Sequence, residues 1–186
     1  MNKAVAIGAA IALTLTSNLA QAVEGDKNFS LGGSLYWIDI DATNVITMDF
    51  TGGSLVGTAA FNENVAVRGS IYNTTWDVQE DLELAGYDAQ VLLGGNLNRE
   101  GFKYYLALGV FSETADDGYD TIDFSGAQIG AGFGYNWPQV ALDYTINVRS
   151  ADDYADFIGD LMDNVGVTGT SKVSATSTSL ALSFRF

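Results

Sequence analysis

The stretch V-A-L-D-Y-T-I-N-V-R, from Val140 to Arg149, alternates large apolar and small or polar residues without a break. Successive side chains of a strand point to opposite faces. Val140, Leu142, Tyr144, Ile146 and Val148 therefore share one face, and Asp143, Thr145, Asn147 and Arg149 the other. A helix would need apolar residues at i, i+3 and i+4 instead. The same period of two returns along the chain in segments of about ten residues, separated by turn chemistry.

F-S-L-G-G-S-L-Y-W-I-D-I aligns Phe29, Leu31, Leu35 and Trp37. A less regular segment, S-L-V-G-T-A-A-F, ends at Phe61, and V-A-V-R-G-S-I-Y sets Val65, Val67 and Ile71 against Arg68 and Ser70. Y-D-A-Q-V-L-L-G-G-N-L opposes Tyr87, Ala89, Val91, Leu93 and Leu97 to Asp88, Gln90 and Asn96. K-Y-Y-L-A-L-G-V-F, A-Q-I-G-A-G-F-G-Y and the Val140 segment follow, and S-L-A-L-S-F-R-F closes the chain at Phe186. With that closing stretch the count is eight strands. The links Phe61–Val65, Leu97–Phe102 and Asn136–Val140 are short, and those over 39–53, 75–86, 112–125 and 150–175 are longer and acidic. Inside the last, D-D-Y-A-D-F-I-G-D-L-M-D places Tyr154, Phe157, Ile158, Leu161 and Met162 on one helical stripe, with Asp152 or Asp153 positioned to cap. A short helix packing that stripe on the rim of the fold is expected.

The expected class is therefore all-β: an eight-stranded antiparallel up-and-down barrel, with polarity deciding its solvent. A barrel in water fills its interior with large apolar residues. Here the large residues Leu, Val, Ile, Tyr and Phe occupy one face of nearly every strand, and the other face is Ser, Gly, Ala, Gln, Asn, Thr and single charges. Water could not cover so much apolar surface, whereas a bilayer would. Lipid then takes the apolar band, closure pairs every backbone group, and the polar face turns inward. Aromatics at strand ends fit interfacial girdles, with Phe29, Tyr104, Tyr135, Trp137 and Phe186 at one rim and Trp37 and Trp76 at the other. The lumen of such a barrel is filled by side chains. Inward charges need partners there, so Arg68, Asp88, Asp143, Arg149 and Arg185 are expected to form a structural lumenal network.

Composition removes other classes. A formal net charge of −15 with only 8 Lys and Arg offers no basic face for nucleic acid. With no histidine and no cysteine, imidazole dyads, zinc sites and thiolate nucleophiles have no donors. No enzyme and no cofactor are expected. E-T-A-D-D-G-Y-D lacks the alternating ligand spacing and closing Glu of a calcium loop, so no metal site is expected either. At the start, Lys3, the apolar run Ala4–Leu15 and A-Q-A at 20–22 have the form of a secretory signal peptide over 1–22, leaving 23–186 as the barrel.

These features together resemble the small eight-stranded outer-membrane barrels of Gram-negative bacteria, the group of the OmpA transmembrane domain and the Ail/OmpX type. The resemblance rests on the signal-like start, the alternating segments with short and long connections in turn, and the end S-L-A-L-S-F-R-F. It implies an outer-membrane location, short turns in the periplasm and acidic loops outside. It also implies that Leu180, Leu182, Phe184 and Phe186 serve as a C-terminal signal for the barrel-assembly machinery. The implied partners are outer-membrane lipid and lipopolysaccharide, with the protein a monomer. The implied role is structural, barrier or surface-interacting. The alternative is a narrow channel for small solutes, should the glycine-rich face around Gly130–Gly134 leave a wet path.

Overall fold

The computed structural model describes residues 27–43, 45–78, 82–118, 120–164 and 172–186, the side chains of 160–164 excepted. The signal peptide expected over 1–22 lies outside the described residues. The strands are β1 (Phe29–Ala42), β2 (Ile46–Ala60), β3 (Val65–Trp76), β4 (Glu83–Gly95), β5 (Gly101–Asp116), β6 (Thr121–Asn136), β7 (Val140–Arg149) and β8 (Val173–Arg185). A helix, α1 (Asp152–Asn164), precedes β8. Each strand pairs antiparallel with its neighbour in sequence, and β1 pairs with β8, so the sheet closes into an eight-stranded barrel.

The seam carries the C-terminal row. Ser30 lies opposite Arg185, and pairing continues to Ala42 opposite Val173. Phe29 and Phe186 exchange both backbone hydrogen bonds, at 3.1 and 2.9 Å, and their rings stack at 6.4 Å. The last residue is thus held by a complete ladder, and neither sheet edge is left open. Leu180, Leu182, Phe184 and Phe186 all face outward.

Around the middle and the short-turn end the outward row is apolar. Leu106, Phe133, Leu182 and Phe184 are each more than half exposed on the bare chain. We call this the belt. Toward the long-connection end the strands run further than the alternating segments suggest, and the polarity of their faces inverts. Outward positions there are Asp39, Asp41, Asp49, Thr75, Glu83 and Asp123, all exposed. Inward positions are Ile38, Ile40, Phe50, Leu84 and Phe124, all buried in one core cluster with Tyr154 of α1. This second region, the cap, is built like a barrel in water. Much of what the sequence suggested as long loops at 39–53 and 112–125 is therefore strand, and the β1–β2 and β5–β6 connections shrink to short turns.

Two details follow from the same geometry. Trp76 belongs to the inward row and packs against the cap cluster, not on an outer girdle. Leu97, expected on the outward row, is buried in a smaller apolar cluster at the short-turn end with Ala60, Ala66, Leu92, Tyr105 and Ala107. The chain turns at Asn96, whose φ of 58° is left-handed, and so redirects the next side chain inward. Among the described residues no helix is long and apolar enough to cross a membrane.

Candidate functional site: the charged interior and its cap

Inside the belt, alternation delivers polar side chains from facing strands to two layers. In the layer nearer the short turns, Asp143 of β7 accepts from Arg68 of β3 at 3.0 Å and from Lys103 of β5 at 2.7 Å. Arg68 also donates to Tyr105 at 2.8 Å, to Thr145 at 3.1 Å and, through Nε, to Thr58 at 3.1 Å. Its guanidinium lies 5.0 Å from the Tyr105 ring centroid, which adds a cation–π contact to the ion pair.

In the layer nearer the cap, Arg149 is the centre. It donates to Glu113 at 2.7 Å, to Asp88 at 3.2 Å, and to the hydroxyls of Tyr36 at 2.8 Å and Tyr72 at 3.3 Å. Those phenols donate onward, Tyr36 to Asp88 and Tyr72 to Glu113, and their rings stack at 4.5 Å. Gln128 supplies Asp88 with a further donor at 3.1 Å. Between the layers Gln90 donates to Asn147 at 3.0 Å, and Asn147 to Ser177 at 3.2 Å, spanning the lumen.

Neither layer is neutral by itself. The first holds two cations and one carboxylate, and the second one cation and two carboxylates. Taken together the three cations and three carboxylates balance, which suits a water-poor interior where an uncompensated charge is costly.

Of the five residues singled out in the sequence, four enter these layers, with partners that simple strand adjacency does not give. Arg68 and Asp88 sit on neighbouring strands, yet Arg68 pairs across the lumen with Asp143 and Asp88 with Arg149. Arg185 stands apart from Asp143. It donates to the carbonyls of Trp137 at 2.7 Å and Asn98 at 2.6 Å, latching two short turns to the seam strand.

Lys103 and Glu113 are the members the sequence reading passed over. Glu113 was grouped with the exposed acidic loop; the extension of β5 instead turns it inward, leaving it 2 % exposed. Continuing the alternation of Tyr105, Ala107 and Phe111 past Phe111 would have found it, and stepping back from Tyr105 would have found Lys103.

The inward glycines of β6 are spacers for this packing. A Cβ on Gly132 would lie 2.4 Å from the Tyr105 ring, and one on Gly130 would lie 2.2 Å from Asn147 Oδ1. The face considered as a wet path is occupied by its neighbours' side chains.

Over the cap-side layer, α1 closes the barrel from inside the rim rather than upon it. Tyr154 is 1 % exposed, stacks near Phe111 and Phe124, and donates its hydroxyl to Glu113. Burial raises the Tyr154 phenol well above its ordinary value, and the Glu113 carboxylate pushes in the same direction. Ile158 is buried beside it and Phe157 meets Phe124 edge-on. Asp153, considered as a cap, accepts from the Ser125 amide at 2.8 Å and so ties the helix start to β6. The side chains of Leu161 and Met162 lie outside the described residues.

The acidic positions of the cap divide by role. Asp116 and Asp117 accept from the amides of Gly118 and Asp120, shaping the β5–β6 turn. Asp77, Glu83, Asp123, Asp152 and Asp156 are exposed, while Glu80 and Asp81, and the side chains of Asp160 and Asp163, lie outside the described residues. Among the described residues no group of three or more acidic side chains is gathered to hold a metal ion.

An outward apolar belt, a sealed ladder and an ion-paired interior are together the architecture of small eight-stranded outer-membrane barrels, and solved structures of that kind share the fold. Ail, the attachment invasion locus protein of Yersinia pestis, is 20 % identical, with a TM-score of 0.58 over 88 % of this chain and 100 % of that one. Neisserial surface protein A is 14 % identical, with a TM-score of 0.57 over 88 % and 100 %. The N-terminal β-barrel domain of Pseudomonas aeruginosa OprF is 15 % identical, with a TM-score of 0.50 over 87 % and 99 %. No protein-family profile and no curated protein sequence matches the chain.

Proposed function

We propose that the chain is an integral protein of the Gram-negative outer membrane that works without catalysis, as a structural or barrier element with an acidic outer surface. The observation that carries this reading is the pairing of an apolar belt outside with a charge-balanced, side-chain-filled lumen inside. A bilayer satisfies the first and makes the second necessary. In this reading residues 1–22 are the export signal and are removed. The short turns lie in the periplasm, and the cap stands above the lipid among lipopolysaccharide headgroups. Leu180, Leu182, Phe184 and Phe186 form the row the assembly machinery engages, and the protein acts as a monomer. The exposed carboxylates of the cap favour contact with cations or basic partners over anionic ones.

Membrane fractionation combined with gel migration of unboiled and boiled samples tests location and closure together. An outer-membrane pellet and a heat-dependent shift are expected. Planar-bilayer recording separates barrier from channel: the filled lumen predicts no steady conductance, and a stable unitary current would establish the narrow channel instead.

A further inference from the structure

The apolar core of the cap does not fill its own volume. A cavity of about 220 Å³ remains between α1 and the strand ends. Phe50, Leu84, Ala115 and Phe124 line it from the strands, and Phe157 and Ile158 close it from the helix. An engineered apolar cavity of roughly 150 Å³ is large enough to hold benzene. The present one accommodates a molecule half as large again.

A further observation defines the occupant's charge. At the mouth stand the exposed side chains of Asp117 and Asp120. They turn away anions and tolerate neutral or cationic molecules.

We propose that this cavity is a binding site for a neutral or cationic apolar molecule of roughly ten heavy atoms, a size set by the cavity comparison. α1 is the wall that closes over it. Tyr154, which donates to Glu113 of the ion-paired interior, forms part of its lining, and the site goes beyond a barrier role.

Quinoline is a neutral molecule of this size, and 2-naphthoate adds a negative charge to a similar frame. Each is titrated into the full barrel in lipid nanodiscs while isoleucine methyl NMR signals are followed. Quinoline is expected to shift the cavity-lining Ile40, Ile122 and Ile158 saturably. 2-Naphthoate should bind at least tenfold more weakly. Ala115→Phe, which fills the space, should weaken quinoline at least tenfold, with folding verified by the heat-dependent gel shift. Leu82→Trp, at another residue of the lining, serves the same purpose should Ala115→Phe fail that check. The proposal is overturned by shifts that rise linearly and equally at the belt residues Ile129 and Ile146, which mean partition into lipid. It is equally overturned if the cavity-filling variant binds quinoline unchanged, or if 2-naphthoate binds as well as quinoline.

Discussion

In the belt, Leu106 and Leu182 point outward while Arg68 and Asp143 point in; nearer the long connections, Asp39 and Asp123 point outward while Ile38 and Phe124 point in. Period, strand direction and closure are the same in both regions. The difference lies in which residues occupy each phase of the alternation. Alternation alone thus establishes that a sheet has two faces, and the surrounding solvent decides which of them is apolar. The protein reads as two barrels on one ladder, an inside-out one in lipid and an ordinary one in water. α1 plugs the second and, through Tyr154 and Glu113, touches the charged floor of the first.

The comparison can be broken most forcefully in the belt interior. Asp143→Ala leaves Arg68 and Lys103 buried without their shared carboxylate. Removing one partner of a buried ion pair costs about 3–5 kcal/mol. A loss of that size in urea unfolding from vesicles is expected, with the barrel still able to insert. In the cap interior the corresponding lesion is apolar: Leu84→Ala, at a site 1 % exposed, should cost about 2–5 kcal/mol through the cavity it opens.

On the outer wall the same substitution should give different answers in the two regions. Leu106→Arg places a charge against lipid and should cost about 2–4 kcal/mol if it lies near mid-bilayer. Asp123→Arg on the cap should stay within about 0.5 kcal/mol, as surface changes do.

The link between the regions is weaker and local. Tyr154→Phe removes a donor from buried Glu113, a hydrogen bond to a charged group worth about 1.5–3 kcal/mol. The loss should appear as faster amide exchange in α1 with the strands unaffected. Because burial and Glu113 raise the Tyr154 phenol, its contribution is fully present below the ordinary tyrosine value of about 10 and falls as pH rises above it. Wild-type α1 should lose protection above about pH 10 more steeply than the Tyr154→Phe variant.

How much of this was legible follows from where the alternation keeps its phase. From Val140 to Arg149 and from Leu180 to Phe186 it never breaks, and strand, face and seam can all be read directly. At Trp37-Ile38-Asp39-Ile40 the apolar phase changes sides, and a reader tracking one apolar face sees the strand stop. Glu113 disappeared into a supposed loop for that reason. Lumenal pairings were illegible for another. Arg68 and Asp143 meet across the barrel, a contact set by curvature and side-chain reach rather than by neighbouring register. The glycines of β6 could be counted in the sequence, but only the Tyr105 and Asn147 side chains above them show what they make room for.

The inversion of polarity along the barrel is tested most directly by spin labelling, for which a chain without cysteine is already prepared. Single cysteines at Leu35, Leu106 and Leu182 in the belt, and at Asp39, Thr114 and Asp123 in the cap, would carry nitroxides on the outer wall in lipid vesicles. Collision with oxygen reports lipid, and collision with a water-soluble nickel chelate reports water. The account predicts oxygen-dominated relaxation at the three belt sites and nickel-dominated relaxation at the three cap sites. Nickel access to Leu106 and Leu182 equal to that of Asp39 and Asp123 would contradict it.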